Sequence, residues 1–250
     1  MADSVFIEHL QIVDSTNRYI RDEAARLWSM APRSQAVVVV SENQTAGRGQ
    51  RGNVWHSDEG VNLLLSIMVR PTFLAAAQQF LLSEAVALSL HRTLSSYGIK
   101  TLLKWPNDIY VGRCKIAGVL VELDYEGSGA EQAIIGIGLN VNQTEFPQMD
   151  KLPTSMKNIL GHSVDKDKLL AHLLDSFLYY YNKLRNEDAS ALHNEYKQQL
   201  LGLGVRRSYT DETGAFDAVI EDVEPTGHLL IRRTDGRLCR YAFKEIVQVV

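Results

Sequence analysis

Cysteine is scarce in this chain. Cys114 and Cys239 are the only two in 250 residues, they lie in separate segments, and neither belongs to a CxxC or other metal-ligand spacing. That excludes a disulfide framework and a thiolate metal site, and both are expected to be free thiols. Long apolar runs are also missing. Stretches such as residues 36–40 fall far short of the roughly 20 residues that cross a bilayer, so no transmembrane helix is encoded. The N-terminal segment carries Asp3 and Glu8 and lacks the basic start and apolar stretch of a secretory leader, so a cytoplasmic location is expected. No repeat or low-complexity segment is visible. Nor does charge of one sign dominate. With 26 basic against 30 acidic residues the formal net charge is -4, which gives no global field for nucleic acid or an anionic membrane, and any basic site must be local.

What is present is an ordinary globular composition, 45% hydrophobic and 22% charged, long enough for one large domain or a large one with a small one. Residues 5–13 alternate like a strand and end in Asp14-Ser15-Thr16-Asn17, a cluster able to cap a helix over residues 16–28. Residues 36–41 are a β-branched run that reads as a buried strand, and the polar, glycine-rich stretch 42–60 reads as an unusually long loop. Strands are expected at 62–69, 101–105, 109–111, 115–124 and 133–141, with a turn at 126–130. Helices are expected at 80–97, 167–184 and 189–201, with a proline-containing loop at 146–153. Beyond Gly202-Leu203-Gly204 only short alternating strands follow, turning at 211–214 and 234–236, which suggests a small β-barrel over residues 205–250. The plan is one mixed α/β domain and a small all-β module.

Several clusters bear on chemistry, each with two readings. Gln44-Thr45-Ala46-Gly47-Arg48-Gly49-Gln50-Arg51-Gly52, followed by Trp55, has glycines that let backbone approach a ligand and arginines that offer bidentate donors to phosphate or carboxylate; alternatively it is a surface loop with solvated arginines. It has neither the Lys-Ser or Lys-Thr of a Walker loop nor GxGxxG order. Lys104-Trp105-Pro106-Asn107-Asp108 with Lys115 could hold a triphosphate and a divalent cation, or be a hairpin with solvated lysines and a core tryptophan. Asp14-Ser15-Thr16-Asn17 is a helix cap or a polar binding cluster. Asn140 and Asn142 are strand-end turn residues or readers of an adenine edge.

Taken together and in order, STN, QTAGRGQRG with its tryptophan, KWPND, KIAGVLVE and GIGLNVN resemble the biotin protein ligases, over motifs from Ser15 to Asn142. The resemblance implies an α+β fold, a mostly antiparallel sheet with flanking helices of the class II synthetase kind in residues 1–202, and an SH3-like barrel in residues 203–250. It implies ATP-dependent formation of biotinoyl-AMP and transfer of biotin to a lysine of a carboxylase's biotin carboxyl carrier domain, with Mg2+ as cofactor. Ser15, Thr16, Asn17 and Gln44 would meet the ureido ring of biotin. Gly47, Arg48, Gly49 and Gln50 would close over its carboxylate and the α-phosphate, and Gly118 and Gly136 would line the biotin pocket. Trp55 and Asn140 would attend the adenine, while Arg48, Arg51, Lys104, Asn107 and Asp108 would attend the nucleotide. Lys115 is the expected catalytic group with Arg48; metal ligands are unassigned, with Asp108 the candidate.

Two departures stand out. The STN motif starts at residue 15, leaving no room for the DNA-reading domain that some members carry ahead of it, so no operator binding is expected. Gln50 stands where the family's motif often has another arginine, and Arg51 is its neighbour. Rival readings are a lipoate ligase, against which KWPND argues, and a non-catalytic biotin-binding module, which would not need Lys115. Residues 133–141 are a strand able to pair with a symmetry mate at a sheet edge, the expectation for a homodimer.

Overall fold

The structure is a computed structural model that describes residues 4–126, 129–148, 151–186 and 189–248. Its elements run in the order β1 (Val5–Val13), α1 (Thr16–Asp22), α2 (Ala24–Met30), β2 (Ala36–Gln44), β3 (Leu63–Val69), α3 (Phe80–Ser96), β4 (Leu102–Lys104), β5 (Asp108–Val111), β6 (Cys114–Glu126) and β7 (Gly129–Leu139). There follow α4 (Met156–Leu160), α5 (Lys166–Asn186), α6 (Ala189–Gln198), β8 (Arg206–Asp211), β9 (Gly214–Val223), β10 (Leu229–Arg233), β11 (Leu238–Tyr241) and β12 (Val247–Gln248).

A seven-stranded sheet ordered β1-β2-β3-β7-β6-β5-β4 forms the body, parallel only between β1 and β2 and antiparallel elsewhere. The period of two divides its faces. Val38, Leu65, Ile67, Ile135 and Ile137 turn toward the layer of α3 and α5, while Val37, Val39, Met68 and Ile134 meet Ile20 of α1 and Leu27 of α2. The second face changes character along the strands: beyond Met68 and Ile134 it presents Ser66, Gly136, Gly138 and Gly118, whose registers are Ser66↔Gly136 and Gly118↔Gly138. This is where the sheet stops being core and becomes a floor.

The C-terminal strands form a second sheet, β11-β10-β9-β8-β12. Its inner residues Tyr209, Ile220, Leu229 and Ile231 belong to the same continuous core as α3 and α5. The seam is built by Phe80 and Trp105: Phe80 N–H donates to Pro225 O at 3.1 Å, Trp105 Nε1 donates to Gly227 O at 3.0 Å, and the Trp105 ring lies 5.2 Å from that of Phe243.

Several sequence expectations need correction. The helix expected over 16–28 is two helices broken at Glu23, whose φ and ψ of -94° and 7° leave the helical region, so that each half lays its own apolar residue on the sheet. The long loop expected from residue 42 begins only after Gln44, because the polar end of β2 still pairs in parallel with β1 through Ile12↔Asn43 and Val13↔Gln44. The remainder folds back on itself at Arg48↔Val54 around a tight turn, Gln50–Gly52. Helix α6 ends three residues early because residues 199–201 bond to edge strand β4, with Leu103 N–H donating to Gln199 O and Leu201 N–H to Leu103 O. The short helix α4, capped by the Ser155 hydroxyl accepting from Asn158 N–H at 3.1 Å, was not anticipated. Strand β7 is the fourth of seven and paired on both sides, so it offers no free edge for a symmetry mate; the sheet edges are β1 and β4. The C-terminal sheet is open, since no ladder joins β11 to β12 among the described residues, and the closed barrel is not formed there. The turn expected at 126–130 has its centre, residues 127 and 128, outside the described residues.

Candidate active site

A cavity of about 340 Å³ opens on the glycine floor of the large sheet. One wall is the start of α1. Ser15, Thr16 and Asn17 are buried. Ser15 occupies the cap position of α1, yet its side chain makes no capping bond, while Thr16 and Asn17 bond to the sheet. Thr16 N–H donates to Gln44 Oε1 at 2.8 Å, the Ser66 hydroxyl donates to Asn17 Oδ1 at 2.5 Å, and Asn17 Nδ2 donates to Glu122 Oε2 at 2.9 Å. Such a network, with every partner supplied from a different strand, orients its amides rigidly. Glu122 also accepts from Arg48 Nη2 at 3.3 Å, tying the glycine-rich turn to β6.

Glycines decide what lies on the floor. A Cβ at Gly136 would overlap Asn17 Oδ1, and one at Gly138 would overlap the Trp55 ring. Gly118 lies under Trp55 as well: a Cβ there would come 3.1 Å from the ring's Cζ3. The indole therefore rests across β6 and β7, its Nε1 buried without a partner. Gly47 serves the turn: a Cβ there would come 2.6 Å from Trp55 O, and Trp55 N–H donates to Gly47 O at 3.0 Å. Gly49 N–H donates to Asn53 O at 2.7 Å.

The opposite wall is cationic. Lys115 Nζ lies 2.6 Å from Asp108 Oδ1 and 5.3 Å from the centre of the Trp55 ring. Lys151 Nζ lies 2.6 Å from Asp108 Oδ2. Asp108 is only 4% exposed; burial pushes its pKa up, but the two lysines more than offset this and hold it below the usual carboxylate range. Burial pulls Lys115 down, against the opposing pull of Asp108. Lys104 is lowered to about 8 by burial and then by the charge of Lys151, so it is still a cation at neutral pH. Asn107 is fastened to β6, its Nδ2 donating to Val119 O at 2.7 Å. From the small sheet, Tyr209, Lys244 and Gln248 close the far side, with the Tyr209 hydroxyl and Gln248 Nε2 buried and unpartnered.

The structure thus gathers on one cavity Ser15, Thr16, Asn17, Gln44, Arg48, Gly49, Gln50, Trp55, Lys104, Asn107, Asp108, Lys115, Gly118 and Gly136, drawn from six separate stretches of sequence. Gly47 stands behind the turn rather than on the wall. Asn140 does not line the cavity: its Nδ2 donates to Thr154 O at 2.9 Å, and its Oδ1 is buried without a partner. The side chain of Arg51 lies outside the described residues, although its backbone forms part of the tight turn. Sequence reasoning passed over Ser66, Glu122 and Lys151. Ser66 is the one polar residue of the run LLLSIMV, and Glu122 shares the face of Gly118 by the period of two, so both had a signal; Lys151, in an irregular loop, had none.

A hydrogen-bonding cluster able to hold a polar ring, an aromatic plate, and a lysine-carboxylate wall suited to phosphate lie together on a mostly antiparallel sheet with helices on both faces, an arrangement suited to a nucleotide-using ligase. Comparison with known proteins agrees and is more specific. The chain belongs to the Biotin/lipoate A/B protein ligase family, whose sequence pattern matches residues 10–140. It is 32% identical over 206 residues to the bifunctional ligase/repressor BirA of Bacillus subtilis, a match that takes in 81% of this chain but 63% of that protein's length. It is 29% identical to the biotin--[acetyl-CoA-carboxylase] ligase of Paracoccus denitrificans, covering 90% of this chain and 93% of the other. Among solved structures, the biotin protein ligase from Aquifex aeolicus in complex with biotin and ATP superposes with a TM-score of 0.79 at 27% identity, over 98% of both chains.

Proposed function

We propose that this protein activates biotin with ATP to biotinoyl-AMP and transfers it to a lysine of a biotin carboxyl carrier domain. The observation that carries the reading is the placement of Lys115 beside Trp55, between the amide cluster of α1 and the cationic wall, because a reacting carboxylate held by the first and a triphosphate held by the second would meet at that ammonium. In this reading Ser15, Thr16, Asn17 and Gln44 bind the ureido ring, whose buried donors and acceptors need polar partners. Gly136 gives room to Asn17 and Gly118 to Lys115 and Trp55, Arg48 with the backbone of Gly47, Gly49 and Gln50 covers the carboxylate and α-phosphate, and Trp55 offers an aromatic face to the adenine. Lys104, Asn107, Arg51 and Asp108 serve the polyphosphate, and Asn140 acts at one remove, by holding the strand-like segment beside Lys115.

The chemistry then has two displacements. A biotin carboxylate oxygen attacks the α-phosphorus, the bond to the β-phosphate bridge breaks, and pyrophosphate leaves. The carrier lysine amine attacks the acyl carbon, the bond to AMP oxygen breaks, and the amine loses its proton. No residue of the chain is modified, and Lys115 contributes by offsetting the negative charge that builds between carboxylate and phosphate. Magnesium fits this site as a companion of the nucleotide. Asp108, the carboxylate on the described wall, would hold the cation together with the nucleotide, and the cation would neutralise phosphate charge. We assign residues 1–202 to biotin and ATP binding and 203–250 to an SH3-like module that supplies the far wall.

Exchange of labelled pyrophosphate into ATP, dependent on biotin and run in parallel with lipoate, tests the reading. Biotin-specific exchange is expected; no exchange with either acid, from folded protein with magnesium present, would overturn it.

A further inference from the structure

Asp108 is one buried carboxylate with two ammonium partners, and the two are not equivalent. Lys115 is enclosed, with 21% of its side chain exposed, whereas Lys151 is half exposed at 50% and stands at the mouth of the cavity. Reached from solvent, the Lys151 pair is the more screened of the two and adds less to stability than that of the enclosed Lys115. The backbone of Lys151 is nevertheless placed with care. Lys115 N–H donates to Leu152 O at 2.8 Å, Thr154 N–H donates to Lys115 O at 2.9 Å, and Asn140 Nδ2 secures Thr154 O. The segment that follows Lys151 is thus stitched alongside β6 at the residue that carries the buried lysine, so Lys151 must emerge beside it.

The charge balance is what gives the arrangement a purpose. Lys104, Lys115 and Lys151 surround a single carboxylate, and Lys104 and Lys115 both feel the positive charge of Lys151. Like charges held together in a partly buried site repel, and a polyanion relieves that repulsion. An acyl group or an adenine would not; a chain of phosphates would.

We propose that Lys151 is a binding residue for the pyrophosphate end of the nucleotide, parked on Asp108 Oδ2 in the free enzyme and turning onto β- and γ-phosphate oxygens when these enter. The assignment rests on the adenylation reading above and deepens it. As the α–β bridge breaks, the leaving pyrophosphate gains negative charge, and Lys151 is a half-exposed cation of the cavity lining placed to meet it.

The test compares wild type, Lys151→Ala and Lys151→Arg in two measurements. In the first, binding of inorganic pyrophosphate to each protein is followed by titration calorimetry, which needs no turnover. In the second, KM for ATP and for biotin are measured in adenylation, together with transfer from preformed biotinoyl-AMP to a carrier domain. Lys151→Ala is expected to weaken pyrophosphate binding and raise KM for ATP by about tenfold each, the effect of one charge-assisted hydrogen bond in a half-exposed setting. KM for biotin and the transfer step should not move, and Lys151→Arg should restore most of the loss. Unchanged pyrophosphate affinity in Lys151→Ala, with or without a fall in thermal stability, would reduce Lys151 to a surface ion pair and overturn the proposal. Failure of the adenylation reading has a different signature: wild type then shows no biotin-dependent exchange, while the calorimetric comparison still decides whether Lys151 binds pyrophosphate.

Discussion

Gly136 of β7 makes room for the side chain of Asn17: a Cβ at that glycine would overlap Asn17 Oδ1, and Asn17 is held from both sides by Ser66 and Glu122. The amide cannot swing away cheaply, because both of its polar atoms are engaged in a buried network. Gly136→Ala is therefore expected to leave the fold intact while displacing Asn17. Biotin affinity measured by calorimetry should fall at least tenfold, the loss of about one well-placed hydrogen bond, while ATP affinity changes little. Equal biotin affinity in the variant would remove Asn17 from the biotin site.

Lys115→Ala takes away the ammonium proposed to meet the reacting carboxylate and phosphate, and leaves the buried Asp108 with Lys151 alone. Loss of an electrostatic donor in a water-poor site costs about 3 to 4 kcal/mol of transition-state stabilisation, two to three powers of ten in rate. The drop should appear in kcat for pyrophosphate exchange more than in KM for biotin. A variant with unchanged exchange would transfer the role of Lys115 to another cation.

How far the sequence reveals this site follows from where each residue sits. The STN cluster, KWPND and the glycines of β6 and β7 lie at the ends or on one face of regular strands, where a period of two or a turn signal fixes their placement, and the structure gathers them on one cavity. The polar end of β2 and the break at Glu23 were harder, because parallel pairing of residues 43 and 44 with β1 and the packing of Leu27 on the sheet are long-range effects that local pattern does not carry. Lys151 was invisible for the same reason: its position depends on Leu152 and Thr154 bonding to Lys115, residues nearly forty apart in sequence. The central place of β7 likewise depends on the order of strands, not on its own apolar pattern.

The turn between Gln44 and Trp55 bonds mostly to itself and reaches β6 through Arg48, which is 45% exposed where it pairs with Glu122. An acyl-adenylate open to water would hydrolyse, so closure of this segment over the bound ligand is expected. Limited proteolysis should cut between residues 44 and 55 in the free protein and be slowed in the presence of biotin with ATP. Equal cleavage with and without ligands would mean that the segment does not cover the site.

The small sheet is tied to α3 and α6 by a histidine whose protonation can be followed. His193 of α6 contacts Glu84 of α3 through Nδ1 at 2.9 Å and Asp222 of β9 through Nε2 at 3.2 Å, and Lys197 of α6 shares Asp222 at 2.9 Å. The hydrogen bond to Glu84 raises the His193 pKa above the ordinary value of about 6.5, against burial, and Asp222 adds to the effect. Burial pushes Glu84 up, and its second oxygen has no partner, so the imidazolium is its main counter-charge. A histidine whose pKa is higher folded than unfolded stabilises fully below the unfolded value and loses that contribution as pH rises through the folded one. Asp222 behaves oppositely: burial pushes it up, but Lys197 and His193 more than offset this and depress it, so its contribution is lost only as pH falls through its lowered value. The join between α3, α6 and the small sheet should therefore be tightest in mildly acidic solution and loosen above neutrality. His193→Gln should cost on the order of 1–3 kcal/mol at pH 6, less at pH 9, and flatten the fall in thermal midpoint between them. A constant difference between wild type and variant across that range would show that His193 holds α3, α6 and the small sheet together without its charge.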